Sequence, residues 1–418
     1  MHLQTILNRV QKHKGFVYGK PVWKEPALGP PLIEIAIRPH ARNRPRCSGW
    51  GLRGPGYDRL PQRRFEFIPL WGILVFFVYA MRRVDGPRCG IVVERVPWAE
   101  GKSPICTTYG WFLAGWAKRM SWSRVADAFH TSWHCVAVAV EQAVTWGRAH
   151  MDLSGITAIG VDELAWARGH HYVTVVYQIN QGRRRRLWVG RQRTARTLLR
   201  FFRWLGREPS AAIEFVASDM WRPDLKVIAK KIPQAIHVLD RFHVMSHLSK
   251  AIDQVRAAEA KQMKQRGLEP LLRRSRWCLL KRPENLTGRQ RQKLDRLLPY
   301  NLRTVKAYLM KEDFQQFWDY VSPYWAGAFL DAWCRRAMVS RIEPIKKVAR
   351  MLRSHRELIL NWFPAKKGFS SGVVEGLNGK AKLSTKMAYG YGSYEGLELA
   401  LYHRLGDLPE PEFTHKFF

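Results

Sequence analysis

The chain has 418 residues, with 70 Lys and Arg against 34 Asp and Glu, for a formal net charge of +36. Hydrophobic residues make up 46% of it, which supports a large core, argues against disorder and allows about two to four domains. So large a basic excess, with recurring Arg clusters at 183–186, 273–276 and 289–291, excludes a merely soluble surface and points to a partner with dense phosphates.

Six cysteines lie scattered at 47, 89, 106, 135, 278 and 334, which fits a reducing cytoplasm rather than a disulfide scaffold. The first 14 residues lack the apolar stretch of a signal peptide. The longest apolar run, 67–81, contains Pro69 and falls short of the ~20 residues a membrane helix needs. A soluble, cytoplasmic protein with no membrane partner is expected.

Residues 1 to about 105 form a first module, with strands expected at 32–37, 64–68 and 73–80 and a turn at 51–57. Cys47-Ser-Gly-Trp50 and Gly86-Pro-Arg-Cys89 flank the central strands. A zinc ribbon would have Cys-x-x-Cys at each flank, supplying four thiolates. Here Trp50 and Gly86 stand where partners belong, so Cys47 and Cys89 read as remnants of a degenerate, metal-free ribbon.

Residues 106–150 switch to helical periodicity. A short helix at 122–130, a turn and a second helix at 134–148 fit a helix-turn-helix or an ordinary helical hairpin, and the charge favours the DNA-binding form.

From 155 onward strand and helix alternate. Strands are expected at 157–161, 172–179, 186–189, 213–217 and 235–239, with helices at 194–205 and 222–231. Three strands, helix, strand, helix, strand is the order of an α/β ribonuclease H-like core, an antiparallel meander followed by parallel crossovers. The core is assigned to 151–245 and 366–406, and the strandless stretch 246–365 between them to an all-helical insertion. The insertion's aromatics (Phe314, Phe317, Trp318, Tyr320, Tyr324, Trp325, Phe329, Trp333) have near-helical spacing and are read as packing core rather than as base-stacking platforms. The core resumes at Ser370, an expected N-cap.

Three carboxylates carry the chemical argument. Asp162 and Asp219 close apolar strands, and Glu375 opens a helix. A carboxylate ending a buried strand is costly unless it meets a cation. Acids grouped for divalent metal in a basic protein point to phosphodiester chemistry, in which two Mg²⁺ ions, about 3.5–4 Å apart, activate the attacking oxygen and stabilise the leaving one. Mn²⁺ is an expected substitute. Asp240 also ends a strand and competes with Asp219; strand adjacency favours Asp219, while spacing alone leaves both open. Glu163 is set aside because alternation turns it to the opposite face of its strand. Glu375, Asn378 and Lys382 share one helix face, with Lys382 expected to reach a phosphate.

The motifs Gly160-Val-Asp-Glu163, Ser218-Asp-Met220, Pro233-x-Ala-x-x-x-x-Asp-Arg-Phe-His243 and Ser371-Gly-x-x-Glu-Gly-x-Asn378 resemble those of bacterial insertion-sequence transposases of the ISL-three group. The resemblance spans nearly the whole chain. It implies an N-terminal zinc ribbon, a helix-turn-helix and a DDE core, with Asp162, Asp219 and Glu375 as the metal-binding triad and Asp240 and His243 as an accessory Asp-x-x-His element. The departure is at the ribbon.

The reading is therefore a DNA transposase that binds terminal inverted repeats as double-stranded DNA, exposes 3′-hydroxyls in a Mg²⁺-dependent cut and transfers them to target DNA. It is expected to act as a homo-oligomer on DNA. The alternatives are a ribonuclease H-like nuclease or resolvase and a transposase-derived, non-catalytic regulator.

Overall fold

The computed structural model describes residues 2–27, 29–86, 88–167, 169, 171–365, 372–388 and 390–412. The chain divides into two compact units, Met1–Asp152 with Leu383–Phe418, and Leu153–Lys382.

The first unit opens with α1 (Leu3–Val10), followed by β1 (Phe16–Lys24), β2 (Leu32–Pro39), β3 (Gly56–Leu70), β4 (Ile73–Gly86) and β5 (Gly90–Val93). They form one sheet in the order β1-β2-β4-β3, with β5 pairing β4. Trp71 and Gly72, both at positive φ, make the tight turn that two long antiparallel strands need. Alternate β4 residues Val75, Phe77, Tyr79 and Met81 point into an aromatic core that includes Phe65 and Trp98. Within it the Arg82 guanidinium pairs with Glu94 at 2.7 Å, and Tyr79 donates to the same carboxylate at 2.7 Å. That partner set is what makes a buried charge tolerable.

Two differences from the sequence reading have clear causes. Strand β1 escaped notice because Gly19 and Pro21 break its apolar pattern; the pairing register shifts between Tyr18 and Pro21, absorbing the missing N–H in a bulge. The turn expected at 51–57 ends where β3 begins, at Gly56, because β4 supplies hydrogen-bond partners along the polar stretch that follows. The Cys47 and Cys89 sulfurs lie 3.7 Å apart. Among the described residues no third His, Cys, Asp or Glu donor joins them in a ligand group.

Next come α2 (Thr107–Ala117), α3 (Trp122–Ala128) and α4 (Trp133–Ala149). Ser121 caps α3 by accepting from the Arg124 N–H, and Ser132 caps α4 by accepting from the Cys135 N–H. Helix α4 buries Val136, Ala139, Val140, Ala143, Val144 and Gly147 against its neighbours.

The second unit holds β6 (Ala158–Ala167), β7 (His171–Asn180), β8 (Arg183–Arg191), α5 (Ala195–Leu205), α6 (Arg207–Ala211), β9 (Phe215–Ser218), α7 (Arg222–Lys231) and β10 (Ile236–Leu239). Strand order is β10-β9-β6-β7-β8, with β6, β7 and β8 antiparallel and β9 and β10 parallel to β6. One face, with Ile159 and Val161, packs on Leu198, Phe201 and Val227 from α5 and α7. A long helix, α8 (Arg241–Gln265), then leads into α9 (Arg276–Leu280), α10 (Gly288–Leu297), α11 (Arg303–Gln315), α12 (Pro323–Val339), α13 (Glu343–Ser354), α14 (Arg356–Leu360) and α15 (Trp362–Ala365). Phe314, Phe317, Trp318 and Trp333 are buried in this helical core, and Tyr320 and Phe329 pack against it; Tyr324 and Trp325 are exposed. Ser370 and Ser371 lie outside the described residues. Helix α16 (Gly372–Met387) follows, and α17 (Tyr394–Leu405), assigned to the core from sequence, groups with the first unit. Among the described residues no helix is long and apolar enough to cross a membrane.

Helix α16 approaches β6 closely because Gly160 has no side chain: a Cβ there would sit 2.4 Å from Val374 Cγ2. Gly160→Ala is therefore expected to destabilise the unit by about 1–3 kcal/mol through overpacking, with partial recovery when Val374→Ala is added. Urea denaturation checks this, and an unaltered midpoint for the single variant would disprove the close approach.

Candidate active site

Asp162 does not end its strand. Strand β6 runs on to Ala167 because β7 pairs with it throughout, whereas its parallel neighbour β9 stops at Ser218. Asp162 thus lies just beyond the last β6–β9 pair, Gly160 with Ala217, on the flank where Asp219 leaves the sheet. Asp219 accepts from the Trp221 N–H at 2.9 Å, which fixes the turn into α7. Asp240, buried, caps α8 by accepting from the Phe242 N–H at 2.8 Å, and His243 meets its other oxygen at 3.3 Å.

These groups share one electrostatic neighbourhood. Burial raises the Asp162 carboxyl above the ordinary Asp range; the Asp219 and Asp240 charges add to the rise, and the Glu163 N–H and His243 oppose it. The hydrogen bond to Asp240 raises His243, against the effect of burial, and the charges of Asp162, Asp240 and Asp219 also favour its cation. Asp240, the competitor for second acid, therefore sits in the same cluster as Asp219.

Asp162 is held by the Glu163 N–H of its own strand at 2.8 Å and by Asn378 of α16, which β7 supports. Asn378 donates to Asp162 Oδ2 and accepts from the Tyr177 hydroxyl at 2.6 Å. The fully buried Arg186 donates in turn to that hydroxyl at 3.4 Å. Because an ionised carboxylate can only accept, Asp162 takes the N–H end of the Asn378 amide, which leaves the amide oxygen to accept from Tyr177. Glu375, a turn earlier on α16, is exposed and lines a cleft of about 600 Å³ together with Asp240. Lys382 is also exposed.

Alternation does place Asp162 and Glu163 on opposite faces, but Glu163 is not idle. It pairs with the Arg193 guanidinium, which also holds Asp219 at 2.8 Å and stacks 4.5 Å over Trp221. Glu163, Asp219 and Asp224 offer oxygens that all lie within 4.8 Å of one another, and among the described residues this is the only such group of three. Asp162 and Glu375 stand outside it. Burial drives Glu163 up to about 8 and Asp224 up to about 7, with Arg193 opposing both. Sequence reasoning missed Arg193, Asp224, Tyr177 and Arg186: none ends an apolar run or belongs to a short motif, and only the folded sheet brings them to the acids. An all-oxygen, carboxylate-rich set such as Glu163, Asp219 and Asp224 suits a hard divalent cation.

Known proteins bear on this geometry. The profile of the ISL-three DDE family, described as transposase, matches residues 159–401, more than half of the chain. The chain belongs to this transposase family. It is 28% identical over 366 residues to the transposase for insertion sequence element IS1001 of Bordetella parapertussis, covering 87% of this chain and 89% of that one. It is 29% identical over 387 residues to the transposase for IS1557 of Mycobacterium tuberculosis, covering 86% of each. This ISL-three transposase is thus a DNA-processing enzyme of a family that uses divalent metal, and the resemblance read from its motifs holds.

Two outcomes are expected. In the transposase, Tyr177→Phe leaves the Asn378 oxygen buried without its donor, at a cost of about 1–3 kcal/mol in urea denaturation. Combined with Asn378→Ala it should cost less than the sum of the two, since one interaction is lost twice; strict additivity would disprove the chain of bonds. The second concerns pH. A carboxyl raised in the folded state favours folding when protonated, so its contribution is lost as pH climbs from 4.5, the ordinary Glu value, to about 8. Arg193→Gln removes the cation that limits this rise and should carry the loss of stability on above pH 8, where the parent's levels off. A parallel pH profile for variant and parent would contradict it.

Proposed function

We propose that this transposase binds the terminal inverted repeats of an insertion sequence, cuts the DNA to expose 3′-hydroxyls and joins them to target DNA. The observation that carries this reading is the placing of Asp162 and Asp219 on the flank where β9 leaves β6, with the charges of Asp219, Asp240 and His243 all felt at Asp162, in a chain of net charge +36. The strand order, an antiparallel meander followed by two parallel strands, supports a ribonuclease H-like core with its helical insertion after β10. The capped pair α3 and α4 supports a helix-turn-helix, and the close Cys47 and Cys89 pair supports a degenerate zinc-ribbon-like module. Action as a homo-oligomer on DNA is part of the same reading.

Asp162, Asp219 and Glu375 are the residues that would hold two Mg²⁺ ions, with Mn²⁺ as a substitute, and the bound metal supplies Lewis-acid polarisation of the phosphodiester and a more acidic water. Asn378 orients the Asp162 carboxylate through Tyr177. His243, held by Asp240, is placed to carry a proton beside the acids. Lys382 offers a solvent-facing cation to a phosphate. In the first step water displaces the 3′-oxygen at phosphorus; in the second that 3′-oxygen attacks a target phosphorus and displaces its 3′-oxygen.

Asp162→Asn, Asp219→Asn or Glu375→Gln should each abolish cleavage and strand transfer on a supercoiled donor plasmid with Mg²⁺. Repeat binding should remain nearly unchanged, because phosphate contacts with cations dominate affinity. Cleavage surviving in Asp219→Asn but lost in Asp240→Asn would move the second ligand to Asp240. Structure-specific cutting of branched DNA without strand transfer would favour a nuclease or resolvase, and binding alone a regulator.

A further inference from the structure

Helix α8 has two faces with different uses. Val244, Leu248, Ala251, Ile252 and Val255 form the stripe buried in the helical core. Phe242, Ser246 and Ser249 share the other face, at offsets of four and three, and line the cleft of about 600 Å³. Phe242 stays 53% exposed although it neighbours a well-packed stripe, so the core does not account for this aromatic ring. The cleft also contains Arg241 and Arg282, and neither is in a salt bridge among the described residues. Arg241 Nε is buried with no hydrogen-bond partner among the described residues, while its guanidinium stacks 5.4 Å over Trp318. Burial and the charge of Arg282 work against the Arg241 cation, and the charge of Asp319 favours it. Two guanidiniums without a salt bridge among the described residues, facing one space, favour an anion there. The candidate acids Asp240 and Glu375 also line this cleft, and Gln315 adds a group able to donate and accept hydrogen bonds.

A ring to stack on, two guanidiniums for phosphate and hydroxyl and amide groups for a base edge together describe one ligand. We propose that this cleft seats an unpaired nucleotide of the DNA strand, with its base against Phe242 and its phosphate held by Arg241 and Arg282. The volume lies in the range of about 300–1,000 Å³ in which proteins enclose small organic groups. A base inside a duplex presents no free π-face, so the nucleotide must be unstacked or single-stranded. This rests on the reading of the chain as a DNA-strand-processing enzyme and adds that the duplex is opened beside the acids.

The test uses the full chain, a fluorescent short oligothymidylate, the same oligomer with abasic sugars and a blunt duplex of mixed sequence, read by anisotropy. Base–aromatic stacking is worth about 1–3 kcal/mol, so Phe242→Ala should weaken oligothymidylate binding about 5- to 150-fold. Phe242→Tyr should restore it, and the abasic oligomer should bind parent and Phe242→Ala alike. Tyr324→Ala, which removes an exposed aromatic outside the cleft, should leave oligothymidylate affinity unchanged. Arg241→Gln and Arg282→Gln should each flatten the salt dependence by about one unit of slope. Equal oligothymidylate affinity for parent and Phe242→Ala, or equal losses in Phe242→Ala and Tyr324→Ala, overturns the proposal. Duplex binding without oligothymidylate binding also overturns it while leaving the transposase reading intact; binding of neither DNA sinks that reading as well.

Discussion

The approach of α16 to β6 is the contact on which the rest of the second unit's site depends. Gly160 leaves room for Val374 against the strand, and two residues further along the same face Asp162 meets Asn378, one turn along the helix. Packing and polar recognition are thus registered to each other. A helix held only by apolar contacts can slide or rotate, but the Tyr177–Asn378–Asp162 chain fixes both its height and its rotation. The rotation in turn decides that Glu375, three residues before Asn378, opens into the cleft rather than into the core.

Charge explains why so much polar machinery surrounds these acids. Buried carboxylates are expensive even in a strongly basic chain, because distant cations are screened and only local partners count. The molecule meets the cost on two sides of one strand. On the α16 side the Asn378 amide meets Asp162, backed in turn by the Tyr177 hydroxyl and the buried Arg186; on the α5 and α7 side Arg193 serves Glu163 and Asp219 together. Asp219 lies at the end of the short β9 and is the group both sides feel, since its charge raises Asp162, Glu163 and Asp224 alike.

Much of this was legible from the sequence where a residue's role is local. The apolar runs of β7, β9 and β10 are continuous because such strands are covered on both faces, and the Asp-x-x-His spacing puts Asp240 and His243 on one turn of helix. What escaped was set by partners distant in the chain. The extension of β6 past Asp162 depends on β7, and β1 tolerates Pro21 only because the register shifts against β2. Arg193 follows an unremarkable strand, and its importance arises from a fold that brings Glu163 and Asp219 to it from opposite directions in sequence. The exposed Tyr324 and Trp325 show the limit of periodicity from the other side: helical spacing marks an apolar stripe but not whether a neighbour covers it.

The junction between the sheet and the helical segment follows from one residue. Asp240 ends β10, caps α8 and holds His243, so the polypeptide passes from sheet to helix without an intervening loop. A flexible connection would let the helical segment move independently of the strand ends, whereas a capped helix of 25 residues carries its first turn into the cleft and its apolar stripe into the helical core as one rigid rod. Phe242 and Arg241 are therefore held in place by packing several turns away, at Val255 and beyond. The helical segment thus builds one wall of the cleft that Asp240 and Glu375 share, and its stability is part of the geometry of that cleft.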